Sequence, residues 1–142
     1  MTIAPWRDDY CTGHATIDSQ HRHLFDLVNR IHDVLSTDSS PKERALPLLQ
    51  EFAHCAQAHF ELEEQLMTAY DYPHQAMHCK VHQRLVNKVL GLLEPSVAPT
   101  LTPETVTQVM ADWIIHHIKG EDQRMIRHFR AKGVLETQPL LV

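Results

Sequence analysis

His59 and Glu63 stand four residues apart, and so do His78 and His82. Residues at that spacing share one face of a helix, so each pair aims two donor groups at a single point. Imidazole with carboxylate is a ligand set for iron, manganese or zinc. A third stretch, WIIHHIKGED at 113–122, puts Trp113 and His117 on one face. Asp122 follows His117 by five residues, about 140° out of phase on an ideal helix. Two readings are open: Asp122 points outward among KGED, or a local π-type bulge, of a kind found at functional sites, returns it to the inner line. That line resumes at Met125, Ile126 and Phe129, and Gly120 inside the step would ease the distortion.

With His21 on the first helix, the inward donors number five imidazoles and two carboxylates: His21, His59, His78, His82, His117, Glu63 and Asp122. Singly, each has an ordinary reading as a core histidine with a partner or an acid paired with a base. Together, with no Lys or Arg on the same lines, they would bury anions without a cation. A metal supplies one. Seven donors exceed the four that zinc usually takes, but they serve two ions if both carboxylates bridge, one ion with three His and the other with two. A vacant position on the two-His ion suits a gas ligand. Two ferrous ions against two carboxylates and one hydroxide leave a residual charge of about +1, far cheaper to bury than unpaired anions.

The elements that must position these donors are helices. Glycine is scarce, and eight prolines fall mostly between apolar-periodic stretches. The first helix is expected from Asp18, as cap, to about Ser36, with His21, Leu24, Val28, Ile31 and Leu35 inward. SPKE at 40–43 offers a capping box for a second helix to about Tyr70, which Pro47 kinks or delays. Its inner line is Leu49, Phe52, Ala56, His59, Glu63, Leu66 and Tyr70. The third is expected from near Pro73, with His78, Val81, His82, Leu85, Val89 and Leu92 inward. Thr102-Pro103-Glu104 announces the fourth, which runs to about Arg130, with Gly133 as its stop. Short connections make neighbours antiparallel. The expected fold is therefore all-α, an antiparallel up-down-up-down four-helix bundle with an N-terminal arm. The arm covers 1–17, the bundle about 18–131, and the tail VLETQPLLV packs on the bundle or on another chain.

Composition excludes several classes. The 142 residues fit one domain, no window near eighteen apolar residues exists, and MTIAPWRDDY has no signal-peptide pattern. Three cysteines without CxxC spacing argue against a disulfide framework and for the reducing cytoplasm. A net charge of -5 without a basic stripe argues against nucleic acid. Twelve histidines are the compositional outlier, and they need a reason.

IDSQH at 17–21, HFELEEQLM at 59–67, YPHQAMHCKVH at 72–82 and WIIHHIKGED at 113–122, in that order, resemble the hemerythrin family, in particular its single-domain bacterial members. The resemblance spans about Trp6 to Arg130. It implies that His78, His82 and His117 hold one iron, that His21 and His59 hold the other, and that Glu63 and Asp122 bridge them with an oxo or hydroxo group. It also implies reversible O₂ binding at the two-His iron, with Fe²⁺ and Fe³⁺ as the two oxidation states. Five neutral imidazoles, less electron-rich than the carboxylate sets of oxygen-activating bundles, agree with release of intact O₂.

Leu24, Phe25, Phe60, Met67, Trp113 and Ile114 lie beside the ligands and offer either a dry wall or ordinary core. Trp113 and Ile114 match positions the family uses for its gas pocket. Cys55 and Met125 depart from the pattern, since the family often has Tyr at both. Cys79 is either redox-active or a small packing residue. His14, His23, His32, His54, His74, His116 and His128 remain, mostly for the surface, with His74 a further candidate ligand or part of an entry path. The first expectation is thus an O₂ carrier, store or sensor serving an oxygen-consuming enzyme or a sensor partner. The second is a di-iron enzyme with oxidase, peroxidase or nitric-oxide-handling activity, and the third a metal-free or zinc-loaded interaction protein.

Overall fold

The computed structural model describes residues 3–37, 41–94, 97 and 100–134. Four helices make up the fold: α1, Ala15–Thr37; α2, Pro41–Ala69; α3, Gln75–Leu92; and α4, residues 103–131. They form the all-α four-helix bundle expected, preceded by an arm with one 3₁₀ turn at Asp8–Tyr10. No helix among the described residues is long and apolar enough to cross a membrane.

The start of α1 differs from expectation, and the hydrogen bonds give the reason. His14, not Asp18, fills the cap position, its Nδ1 accepting from the Ile17 amide at 3.2 Å. Asp18, already helical, accepts instead from the amide and hydroxyl of Thr12, both at 2.8 Å, and from the Gly13 amide at 3.3 Å. The carboxylate thus latches the arm. Arg130 closes the latch from the far end of the chain by donating to the Thr12 carbonyl. Gly13 is required here: its φ is +87°, and a Cβ would stand 2.8 Å from the Arg130 Nη2.

Pro47 does not delay α2, which begins at Pro41 and runs through it with the ring exposed. Ser40, the cap residue of the box proposed at 40–43, lies outside the described residues, as does most of the tail. After α2, Asp71 takes a left-handed φ of 53°, and α3 starts at Gln75, two residues later than expected, with exposed His74 at the cap position. α4 opens as expected, Thr102 Oγ1 accepting from the Thr105 amide at 3.2 Å.

α4 contains two wide, π-helical turns, at Val106–Ala111 and at Ile118–Asp122. The second spans the five-residue step between His117 and Asp122, so both side chains come to the buried face. Gly120 is not what permits this. Its φ lies outside the left-handed region, and a Cβ there would meet nothing within 4 Å.

The core is divided. One apolar cluster includes Leu24, Phe52, Leu85, Met110 and Ile114, and the other Ile17, Met67, Tyr72, Met125, Ile126 and Phe129. Along the helices, the histidines and acids picked out above fall between the two. A polar layer therefore crosses the bundle, with apolar packing on both sides to keep water from it.

Candidate metal centre

All seven predicted donors are buried, none more than 4% exposed. Each comes from the inner line of its helix: His21 from α1, His59 and Glu63 from α2, His78 and His82 from α3, His117 and Asp122 from α4. They gather into two groups that share both carboxylates, one of Glu63, Asp122, His78, His82 and His117, the other of Glu63, Asp122, His21 and His59.

Each carboxylate divides its oxygens between the groups. Glu63 Oε1 lies 3.0 Å from His82 Nε2 and 3.3 Å from His78 Nε2, while its Oε2 lies 2.9 Å from His59 Nε2 and 3.7 Å from His21 Nε2. Asp122 Oδ1 stands 3.1 Å from both His78 and His117 Nε2, and Oδ2 stands 3.2 Å from His21 Nε2. Donors about 2.1 Å from one cation, at right angles, would be about 3.0 Å apart. The observed separations fit that spacing except for the 3.7 Å between His21 and Glu63.

Outer partners fix which ring nitrogen faces in. His82 Nδ1 lies 2.9 Å from Glu64 Oε2, His117 Nδ1 2.8 Å from Glu121 Oε1, and His59 Nδ1 2.6 Å from Gln20 Oε1. With the ring proton donated outward, each Nε2 presents a lone pair to the interior. If both rings are neutral, His82 and His117 then point lone pairs at one another across 3.1 Å, which is repulsive unless a proton or a metal cation lies between or beside them. Buried atoms without a hydrogen bond tell the same story: His21 Nδ1 and Nε2, His59 Nε2, Glu63 Oε2 and Asp122 Oδ2 have none. His59 Nε2 and Glu63 Oε2 are close but badly aligned for one. Cations held between the two groups would satisfy the inward donors.

The field at the site is strongly cation-attracting. Burial alone would drag His21 and His117 down, yet Asp122 and Glu63 lift them to about 9 and about 10. His78 also rises, against its burial, through the same carboxylates. Conversely, burial would raise Glu63, and Glu63 adds to burial in raising Asp122, but the surrounding imidazoles hold both acids well below the usual carboxylate range. Among the described residues the ion-pair partners of Glu63 and Asp122 are imidazoles alone. What these acids draw toward an imidazole proton they would draw toward a metal.

A small, partly open void adjoins the centre, lined by His21, His59 and His117 together with Leu24, Phe60, Leu85, Trp113, Ile114 and Ile118. Its volume is about 10 Å³, near the minimum of ~10–15 Å³ that one water needs. Of the residues expected on a pocket wall, Leu24, Phe60, Trp113 and Ile114 are there. Phe25 is not: Trp6 and Tyr10 of the arm pack against its ring, with centroids 5.5 and 5.2 Å away. Met67 belongs to the apolar cluster on the opposite side of the polar layer. Leu85 and Ile118 complete the wall, and their inward helical phase was the available signal.

Gln20, Glu64 and Glu121 escaped the sequence reading, since each adjoins a donor and looks like its solvated neighbour. The i, i+4 spacing of His117 and Glu121 was the one usable hint. Met125 is fully buried in the second apolar cluster. Cys79 is partly buried, and burial with the nearby Glu64 carboxylate raises its thiol, so packing suits it better than redox chemistry. Of the seven other histidines, His23, His54, His74 and His116 are exposed and His14, His32 and His128 are partly buried.

The model of the hemerythrin HHE cation binding domain matches residues 12–129. A bacteriohemerythrin of Stenotrophomonas maltophilia is 28% identical over 123 residues, 87% of this chain and 79% of that protein. One of Pseudomonas aeruginosa is 27% identical over 124 residues, 86% and 78% of the two chains. A hemerythrin-like protein of Naegleria gruberi is 28% identical over 130 residues, 92% of each.

Proposed function

The chain belongs to the hemerythrin family, and from that premise we propose that it is a non-haem di-iron protein that binds O₂ reversibly, for carriage, storage or sensing. In this reading His78, His82 and His117 hold one iron, His21 and His59 hold the other, and Glu63 and Asp122 bridge the two. Two irons held by these residues would supply the electrons that O₂ binding needs.

One observation carries the proposal: the donor set is lopsided, and the void touches both imidazoles of the poorer side, His21 and His59, but only His117 of the richer. Three imidazoles crowd one end, whereas the end with two faces a small hollow walled largely by apolar side chains. An organic substrate has no room there. Leu24, Phe60, Leu85, Trp113, Ile114 and Ile118 exclude water from the hollow and so disfavour loss of charged products. Trp113 lies over the His117 ring, centroids 4.9 Å apart and planes 27° from parallel, which fixes that imidazole's tilt. Glu64, Glu121 and Gln20 hold the outer ring protons of His82, His117 and His59, keeping the inner nitrogens free to ligate. Free thiols at Cys11, Cys55 and Cys79 suit a reducing compartment, the cytoplasm.

The test is the absorption spectrum of iron-quantified protein that is reduced anaerobically, exposed to air and deoxygenated again. The expected result is about two irons per chain and a visible band that appears with O₂ and bleaches on its removal. Passage directly to a stable ferric spectrum would overturn reversible binding and favour an oxidase or peroxidase on the same scaffold.

A further inference from the structure

A second cluster of metal-ligating side chains lies on the bundle surface, apart from the buried centre. His23 of α1 and Glu51 and Cys55 of α2 converge so that one donor atom from each lies within 4.8 Å of the other two. His23 Nε2 and Glu51 Oε2 are 3.5 Å apart, and both residues are 47% exposed. Cys55 is partly buried and free. None of the three belongs to the buried centre.

We propose that His23, Glu51 and Cys55 form an additional, solvent-accessible site for one borderline-soft divalent cation of the Zn²⁺ type. Nitrogen, carboxylate oxygen and sulfur are the three donor kinds such an ion accepts, and three protein ligands with water in the fourth position is a common arrangement. At ligand distances of about 2.0–2.3 Å, tetrahedral geometry puts donors roughly 3.3–3.8 Å apart. The His23–Glu51 separation already has that length. Half-exposed His23 and Glu51 retain the rotational freedom to close the other edges.

The bare pairing explains the convergence less well. An exposed His–Glu ion pair is worth little by itself, and packing of Cys55 against the first apolar cluster does not by itself call for a carboxylate and an imidazole beside the thiol. Burial and the Glu51 charge raise the Cys55 thiol, an arrangement unfavourable to a thiolate until a cation neutralises both anions. Binding forms the metal–sulfur bond and releases the Cys55 proton to solvent.

The row in which Cys55 stands adds a geometric point. Glu51, Cys55, His59 and Glu63 follow one another at four-residue steps along α2, and each step rotates the donor by about 40°. The row therefore winds from exposed Glu51 to fully buried Glu63. The surface cation sits one to two turns from the buried centre and ties α1 to α2 by a bond from each helix.

Co²⁺ titration of the iron-loaded full-length protein tests the proposal, because a thiolate–cobalt charge-transfer band reports sulfur ligation and the buried centre contains no sulfur. The expected result is one further ion per chain with that band. Cys55→Ser abolishes the band, and His23→Ala and Glu51→Gln each weaken binding by about tenfold or more. Cys11→Ser leaves it intact, and iron content is unchanged throughout. Retention of the band in Cys55→Ser, or failure of the iron-loaded protein to take up a further ion, overturns the site. If the chain loads no iron, Co²⁺ in the buried centre lacks the sulfur band, so the two proposals fail separately.

Discussion

Replacing Ile114 by Ala separates the role of the hollow from its contribution to stability. The side chain is 4% exposed and forms part of the wall. Deleting its three outer carbons forfeits about 2.4 kcal/mol of transfer free energy at ~0.8 kcal/mol per carbon. The space left adds a cavity cost, bringing the total to roughly 3–4 kcal/mol and the melting temperature down by about 10 °C. The void, now about 10 Å³, gains room for at least one water, whose share of liquid volume is ~30 Å³. O₂ release and conversion to the ferric form should then accelerate by about tenfold, or ~1.4 kcal/mol off the barrier. Leu49→Ala is the control. Leu49 is fully buried and loses the same number of carbons, but stands ten residues before His59, about 15 Å along α2. Chemical denaturation measures the stability loss in both variants, and stopped-flow deoxygenation with timed absorption spectra measures the ligand chemistry. Equal stability losses with equal, wild-type-like O₂ kinetics would refute the assignment of the hollow to the ligand.

Three further outcomes follow. His117→Ala should lose iron or leave a labile site, whereas His116→Ala, at an exposed position, should leave the spectrum almost unchanged; equal effects on iron content would move the ligand. Glu121→Gln keeps a hydrogen-bond acceptor near His117 Nδ1 but removes its charge, so iron retention against a chelator should weaken by about 10–100-fold; unaltered retention would leave Glu121 a bystander despite the 2.8 Å contact. Gly120→Ala should be neutral or stabilise by about 0.4–1 kcal/mol, because neither backbone nor neighbours oppose a methyl group there; a large loss of melting temperature or iron would show that the wide turn depends on glycine.

The site's donors could be read from sequence because they repeat with the helix. His59 with Glu63 and His78 with His82 declare a shared face by spacing alone, and Asp122 declares itself through the inner line that resumes at Met125. Readings that depended on contacts between distant segments fared differently. Phe25 has the phase of a pocket residue, but the arm carries Trp6 and Tyr10 onto it, and no periodicity announces where an arm will lie. Asp18 has a cap residue's chemistry, yet its carboxylate is engaged by Thr12 and Gly13. The first wide turn of α4 left no trace, since Val106, Met110 and Ile114 keep a four-residue step that an ordinary helix also uses. Glu64 and Glu121 resemble any exposed acid until their partners' ring nitrogens are placed.

The second wide turn of α4 also bears on how the protein folds. Within residues 117–122, one imidazole meets Glu121 at its outer nitrogen and Asp122 at its inner one, at 2.8 and 3.1 Å. A six-residue segment thus carries a candidate ligand, its support and a candidate bridging acid together, and residues 59–64 of α2 supply a comparable fragment with His59 beside Glu63. Contacts so close in sequence cost little loop-closure entropy and form early. Docking of such pieces is then expected to complete the centre, with the meeting of helices as the slower step.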